Sequence, residues 1–214
     1  VPSIIAAQAF VIASALIAPL KMFVPQPEMW STLFPAVVML GMSHFLLASS
    51  KLINDEKHPL RKLGKGGTQL YFFYGWTLCL VWGIKFVPKD FLFLVFTIIA
   101  IAHGLAHQRR ERNERLIVAA TFLLTGFIGF WGHAVTHWSD PRLADGLALI
   151  ILLGVHTAWR KTIEDHKQQQ ELNVIVIILI NLSLWIWTSS MVPGDWDIIG
   201  WGALAFVLVG LGLW

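Results

Sequence analysis

Eight apolar runs follow one another along this chain, most of them near twenty residues long and each closed by helix-breaking or charged residues. A run of that length matches the thickness of a bilayer core as an α-helix, about 20 residues at 1.5 Å each. Inside hydrocarbon every backbone polar group must be paired within its own segment. The pattern therefore predicts an all-α, polytopic membrane protein with eight transmembrane helices. The runs are read at 3–23, 30–50, 69–86, 91–107, 116–137, 142–159, 172–191 and 198–214. Breakers fall between them: Pro25 and Pro27, the glycines from Gly64 to Gly67, Pro88, Pro141, and Pro193 with Gly194.

Composition agrees. Of 214 residues, 56% are hydrophobic and 14% charged, against about 25% charged in a soluble domain. The longest polar stretch runs only from Lys51 to Gln69. That leaves no room for a separate soluble domain, so 1–214 reads as a single transmembrane helical domain. The lone cysteine, Cys79, excludes an internal disulfide or a CxxC site. The chain opens on Val1 with no evident signal peptide, which reads as processing or truncation.

Charge sets the expected orientation. Twelve Lys and Arg lie after the second, fourth and sixth runs: Lys51, Lys57, Arg61, Lys62, Lys65, Arg109, Arg110, Arg112, Arg115, Arg160, Lys161 and Lys167. The opposite side carries four: Lys21, Lys85, Lys89 and Arg142. This asymmetry is a positive-inside signal and puts both termini on the inner, cytoplasmic face of a bacterial inner or organellar membrane. The basic pI of about 9.2 comes from these short loops. It points to a lipid bilayer as partner and away from nucleic acid. Seven of the eleven tryptophans fall near run ends, as interfacial anchors do. Trp76, Trp82, Trp185 and Trp187 lie deeper and read as packing.

Histidine carries the chemical signal. His44, His103 and His156 each precede a basic inner loop by one to two helical turns, roughly 6–10 Å inside the inner boundary. His107 follows His103 at four residues, on the same helix face but at the boundary itself. Ionisable groups below the membrane surface are functional candidates, and imidazole suits haem iron. Gly41, Gly104 and Gly154 lie beside these histidines, where a backbone can approach a planar ring. The expected site is a histidine-ligated cofactor near the inner face, most simply a b-type haem in electron transfer. A neighbouring helix could equally take up such imidazoles by hydrogen bonding.

A second set lies at the outer side. His133 and His137 share a face, Asp140 follows, and Asp145 comes one turn into the next run. Two histidines and a carboxylate can hold a transition metal. Arg142, three residues before Asp145, is the competing partner for that carboxylate.

The two HxxxH pairs resemble those of membrane di-iron desaturases and hydroxylases. Those enzymes require HxxHH motifs on the same membrane side, and this chain has none. Its two HxxxH pairs are expected on opposite faces. The segment 43–52, Ser-His-Phe-Leu-Leu-Ala-Ser-Ser-Lys-Leu, with Tyr71 after it, resembles the NnrU-like haem proteins related to ζ-carotene isomerase. That resemblance covers little beyond the second and third runs. The Arg-His-Pro motif of that family is absent, so no residue role carries over.

Other chemistries lack their residues. No lysine lies in the last two runs to hold retinal, no GxSxG is present, and residues 63–68 lack phosphate-loop spacing. Asn181, Ser183 and Thr125 are the only mid-run hints of a transport path. Two further readings stand beside haem binding. One is an accessory subunit of a bioenergetic or photosynthetic complex, with other membrane subunits as partners. The other is a metal-dependent lipid-modifying enzyme using His133, His137 and Asp145.

Overall fold

A computed structural model describes residues 29–52, 59–110, 113–163, 167–192 and 194–212. Every regular element among them is helical. They are α1 (Met29–Leu52), α2 (Pro59–Phe86), α3 (Leu92–Arg110), α4 (Asn113–Thr136), α5 (Leu143–Ile163), α6 (Lys167–Met191), a 3-10 turn at Gly194–Trp196, and α7 (Asp197–Gly212). The expected helix at 3–23 lies outside the described residues. The all-α class is as expected. Two helices meet the length and apolarity of a membrane span, at Thr32–Ser50 and Asn113–Thr136. The apolar parts of the other helices examined are shorter: Leu92–Gln108, Leu143–Ala158, Ile175–Met191 and Ile198–Val207.

The chain divides into two compact units, Val1–Val87 and Pro88–Trp214. In the first, α1 and α2 form an antiparallel pair around Ala36, Met39, Leu46, Tyr71 and Leu78. The close approach is made by glycine. A Cβ at Gly75 would stand 2.8 Å from Leu40, and one at Gly67 would stand 3.2 Å from Leu46. Between these points the buried Ser43 hydroxyl donates to the Thr68 carbonyl at 2.9 Å. Small residues and a hydroxyl bond are how helices associate where lipid offers no hydrophobic driving force. At the other end of the pair, Trp82 Nε1 donates to the Met29 carbonyl at 3.1 Å.

One expectation fails here. Gly64 to Gly67 was read as a turn, yet α2 begins at Pro59 and runs through all four residues. Glycine in a helix interior costs about 1 kcal/mol relative to alanine. At Gly67 the contact with Leu46 explains what the missing side chain makes possible.

In the second unit, α3 packs chiefly on α4, α5 lies against α3 and α6, and α7 rests on α6. The core joins Phe93, Phe127, Phe130, Ala148, Leu149, Leu152, Leu153, Ile180 and Leu184. Phe93 is its centre, with ring centroids 5.2 Å from Phe127 and 5.5 Å from Phe130. Gly126 admits Phe93, since a Cβ there would stand 2.9 Å from that ring. Of the other predicted breaks, Pro88 opens the turn before α3, Pro141 lies between α4 and α5 and Gly194 begins the 3-10 turn, while Pro25, Pro27 and Pro193 lie outside the described residues.

Candidate functional site

His44, His103 and His156 lie on α1, α3 and α5. Their surroundings differ. His44 is exposed, His103 is buried at 8% exposure, and His156 is half-buried. His107, half-buried, follows His103 one turn on. His44 belongs to the first unit and the other three to the second.

His44 is the one whose chemistry can be written out. Its Nδ1 lies 2.8 Å from the Leu40 carbonyl, one turn back on α1. A carbonyl only accepts, so Nδ1 carries the proton and Nε2 keeps its lone pair. A backbone carbonyl on the far nitrogen is the usual partner of a metal-ligating histidine, because it fixes tautomer and ring orientation. The ring sits on an open face of α1 formed by Phe34, Val37, Gly41, His44, Phe45 and Ala48, all exposed. Gly41 stands one turn before the imidazole and Ala48 one turn after. A Cβ at Gly41 would meet nothing within 4 Å. The result is a low ledge with one nitrogen at its centre, the shape a planar ligand can cover.

At the C-terminal end of α4, His133 and His137 are brought together. The imidazoles of His133 and His137 stack with centroids 4.9 Å apart and planes 13° from parallel. Asp145 is buried at 1% exposure, and its Oδ1 has no hydrogen-bond partner among the described residues. No group of three His, Cys, Asp or Glu side chains suited to a metal ion occurs among the described residues.

Arg142 acts on Asp145 through its charge, as expected, but its short side-chain contacts go elsewhere. Arg142 Nε lies 3.1 Å from Asp90 Oδ1, and Nη1 donates to the Lys89 carbonyl at 2.7 Å. Both partners lie just before α3, so Arg142 ties the 88–91 turn to the start of α5. The Arg142 carbonyl in turn accepts from Trp187 Nε1 at 3.0 Å and from the Asp145 amide at 3.1 Å. Sequence spacing alone favoured the near carboxylate. Asp90, 52 residues away, carried no local signal.

Tryptophans also take specific roles that position does not reveal. Trp131 Nε1 donates to the fully buried Ser183 hydroxyl at 2.8 Å, joining α4 to α6. Trp201 Nε1 donates to Ser189 at 2.8 Å, joining α7 to α6. Trp131 and Trp201, expected as interfacial anchors, are also cross-helix donors. Ser183 is thus part of a structural hydrogen bond rather than a polar step in a path.

No family model, curated protein or solved structure matches this chain.

Proposed function

We propose that this chain is a multi-pass integral membrane protein that holds a histidine-ligated tetrapyrrole, most simply a b-type haem serving electron transfer, with His44 as an axial ligand. The observation that carries this reading is the His44 ring itself. Its proton is committed to the Leu40 carbonyl, and its free nitrogen stands on an open apolar ledge with Gly41 and Ala48 above and below. A bare imidazole on a lipid-facing surface is costly. A metal at Nε2 would remove that cost, and the ring plane of a haem would cover the exposed Gly41, Phe45 and Ala48 beside it.

The membrane reading rests on the surface as well as on the two long apolar helices. Only 28% of each of those two spans is buried by protein, which leaves most of each for lipid to cover. Large apolar side chains face outward on every helix, including Phe34 at 67%, Ile128 at 61%, Val135 at 82% and Phe206 at 82% exposure. Patches this extensive on a soluble monomer would be an interaction or aggregation surface. Lipid covers them without further assumptions. The eight-span arrangement, with both termini inside, follows from the run lengths and the loop charges.

The test is optical. Protein purified in mild detergent from a haem-replete host should show a Soret band and a b-type pyridine haemochrome spectrum. His44→Ala should lose both. Single substitutions of His103, His107 and His156 then identify any second axial ligand by a change of spin state. A colourless protein that migrates with other subunits on a native gel would support the accessory-subunit reading instead.

A further inference from the structure

We propose that Asp145 is a proton-binding site that competes with Asp90 for the Arg142 guanidinium. With its proton on, Asp145 leaves Arg142 on Asp90 and the Lys89 carbonyl. With its proton gone, Asp145 draws Arg142 to itself and frees the 88–91 turn. The entry to α3 is thereby tied to the protonation of one buried acid on α5.

Two polar atoms are left over in one small region. Asp145 Oδ1 is buried and accepts no hydrogen bond among the described residues. Arg142 Nε is buried as well, and it lies 3.1 Å from Asp90 Oδ1 without the alignment of a hydrogen bond. Arg142 and Asp145 close a single turn, since the Asp145 amide donates to the Arg142 carbonyl at 3.1 Å. An N–H without an aligned acceptor and an oxygen without a donor thus share the start of α5.

Charge decides between two arrangements. An ionised carboxylate at 1% exposure is costly unless it is paired. The short contacts of Arg142 run instead to Asp90 and to the Lys89 carbonyl. The observed arrangement is therefore that of the neutral acid. Removing the proton breaks one O–H bond, leaves its electron pair on the carboxylate and sends the proton to water. The new charge then needs a cation, and Arg142 is the cation whose charge already acts on it. Asp90 is a weak competitor, because its side chain is 70% exposed and water can replace the guanidinium there.

The other groups at this end of the unit are already placed. Asp90, from the turn before α3, is the second charge that acts on Asp145. Lys89 beside it is exposed. Trp187, from α6, lies against Gly146 and does not titrate. On α4, His133 is engaged with the Asp140 carbonyl and His137 with Thr136. The turn itself is lightly held. The Phe91 amide donates to the Pro88 carbonyl at 2.9 Å, and the Leu92 amide donates to the Lys89 carbonyl at 3.4 Å. The Arg142 bond to that same Lys89 carbonyl, at 2.7 Å, is the tie to α5 that loss of the proton releases.

Protein in detergent should be scanned from about pH 5 to about pH 9, a range wide enough for a buried acid beside a guanidinium. Infrared spectra and hydrogen exchange of the Phe91 and Leu92 amides are recorded together. At the acid end, wild type should show the carbonyl stretch of a protonated carboxylic acid that Asp145→Asn lacks. As that band disappears with rising pH, protection of the two amides should fall roughly fivefold below that of Asp145→Asn at the same pH, the worth of one hydrogen bond. Asp90→Ala, at an exposed position, keeps the acid and removes its competitor, so its band should vanish at lower pH than that of wild type. Absence of a band special to wild type at the acid end overturns the proposal, and so does a band that survives to the alkaline end. A band that titrates without loss of amide protection overturns the coupling to the turn. A midpoint indifferent to Asp90→Ala overturns the competition for Arg142.

Discussion

Trp187 occupies the space that Gly146 leaves open. A Cβ built on that glycine would overlap the indole ring, whose Nε1 donates to the Arg142 carbonyl at 3.0 Å. The contact joins α6 to the first turn of α5 and closes the unit over Asp145. Gly146→Ala should therefore destabilise the protein by about 1–3 kcal/mol, the range for forcing an extra group into a packed core. Helix propensity alone would favour alanine by about 1 kcal/mol. A thermal melt in detergent decides which effect wins, and the account requires a lower Tm.

Ser183 gives a second case. It is fully buried, and its hydroxyl accepts from Trp131 Nε1. Ser183→Ala leaves that indole N–H unpaired, at a cost of about 1–3 kcal/mol. Adding Trp131→Phe removes the donor as well. The double variant should recover part of the loss, because a missing pair costs less than a buried orphan. Melts of the two variants side by side measure this directly.

The ion pair at the start of α5 is unequal. Asp90 is 70% exposed on its side chain, while Arg142 is 17% exposed. An exposed pair is worth about 0–1 kcal/mol, so Asp90→Ala should barely move the melting temperature. Arg142→Ala also strips the Lys89 carbonyl of its donor and should cost more. Equal losses from the two variants would mean that the ion pair, not the carbonyl bond, holds the turn.

Asp145 is buried with one carboxylate oxygen unbonded. Asp145→Asn removes a charge and keeps the shape. It should leave stability unchanged or raise it, by up to about 3 kcal/mol. A marked loss, read by the same melts, would show that the carboxylate has a partner it needs.

Much of the helix map is legible in the sequence. Apolar runs and breakers located the ends of α1 and α4 to within a few residues, because lipid-length hydrophobicity is a strong signal. The start of α2 was missed for a physical reason. A glycine cluster reads as a turn when only local propensity is considered, whereas Gly67 serves the approach of Leu46 from another helix. The Arg142–Asp90 and Trp131–Ser183 pairings were equally hidden, since nothing in one segment announces its partner in another.

The candidate sites were legible in part. Spacing singles out His44 and the His133–His137 pair, and the structure places His44, His103 and His156 on three separate helices, as the runs predict. Which rings face outward was not readable. Helix α4 carries hydrophobic residues on both its packed and its outward faces, such as Phe127 and Ile128, so hydrophobic pattern does not separate a lipid face from a protein face. The His44 tautomer follows only from the Leu40 carbonyl that the helix brings to its Nδ1.

The absorption spectrum of the purified wild-type protein beside His44→Ala tests the central claim most directly. The account predicts a Soret band in the wild type that His44→Ala loses, with the melting profile of the polypeptide otherwise kept. A wild type without a Soret band, or a band indifferent to His44, would contradict it.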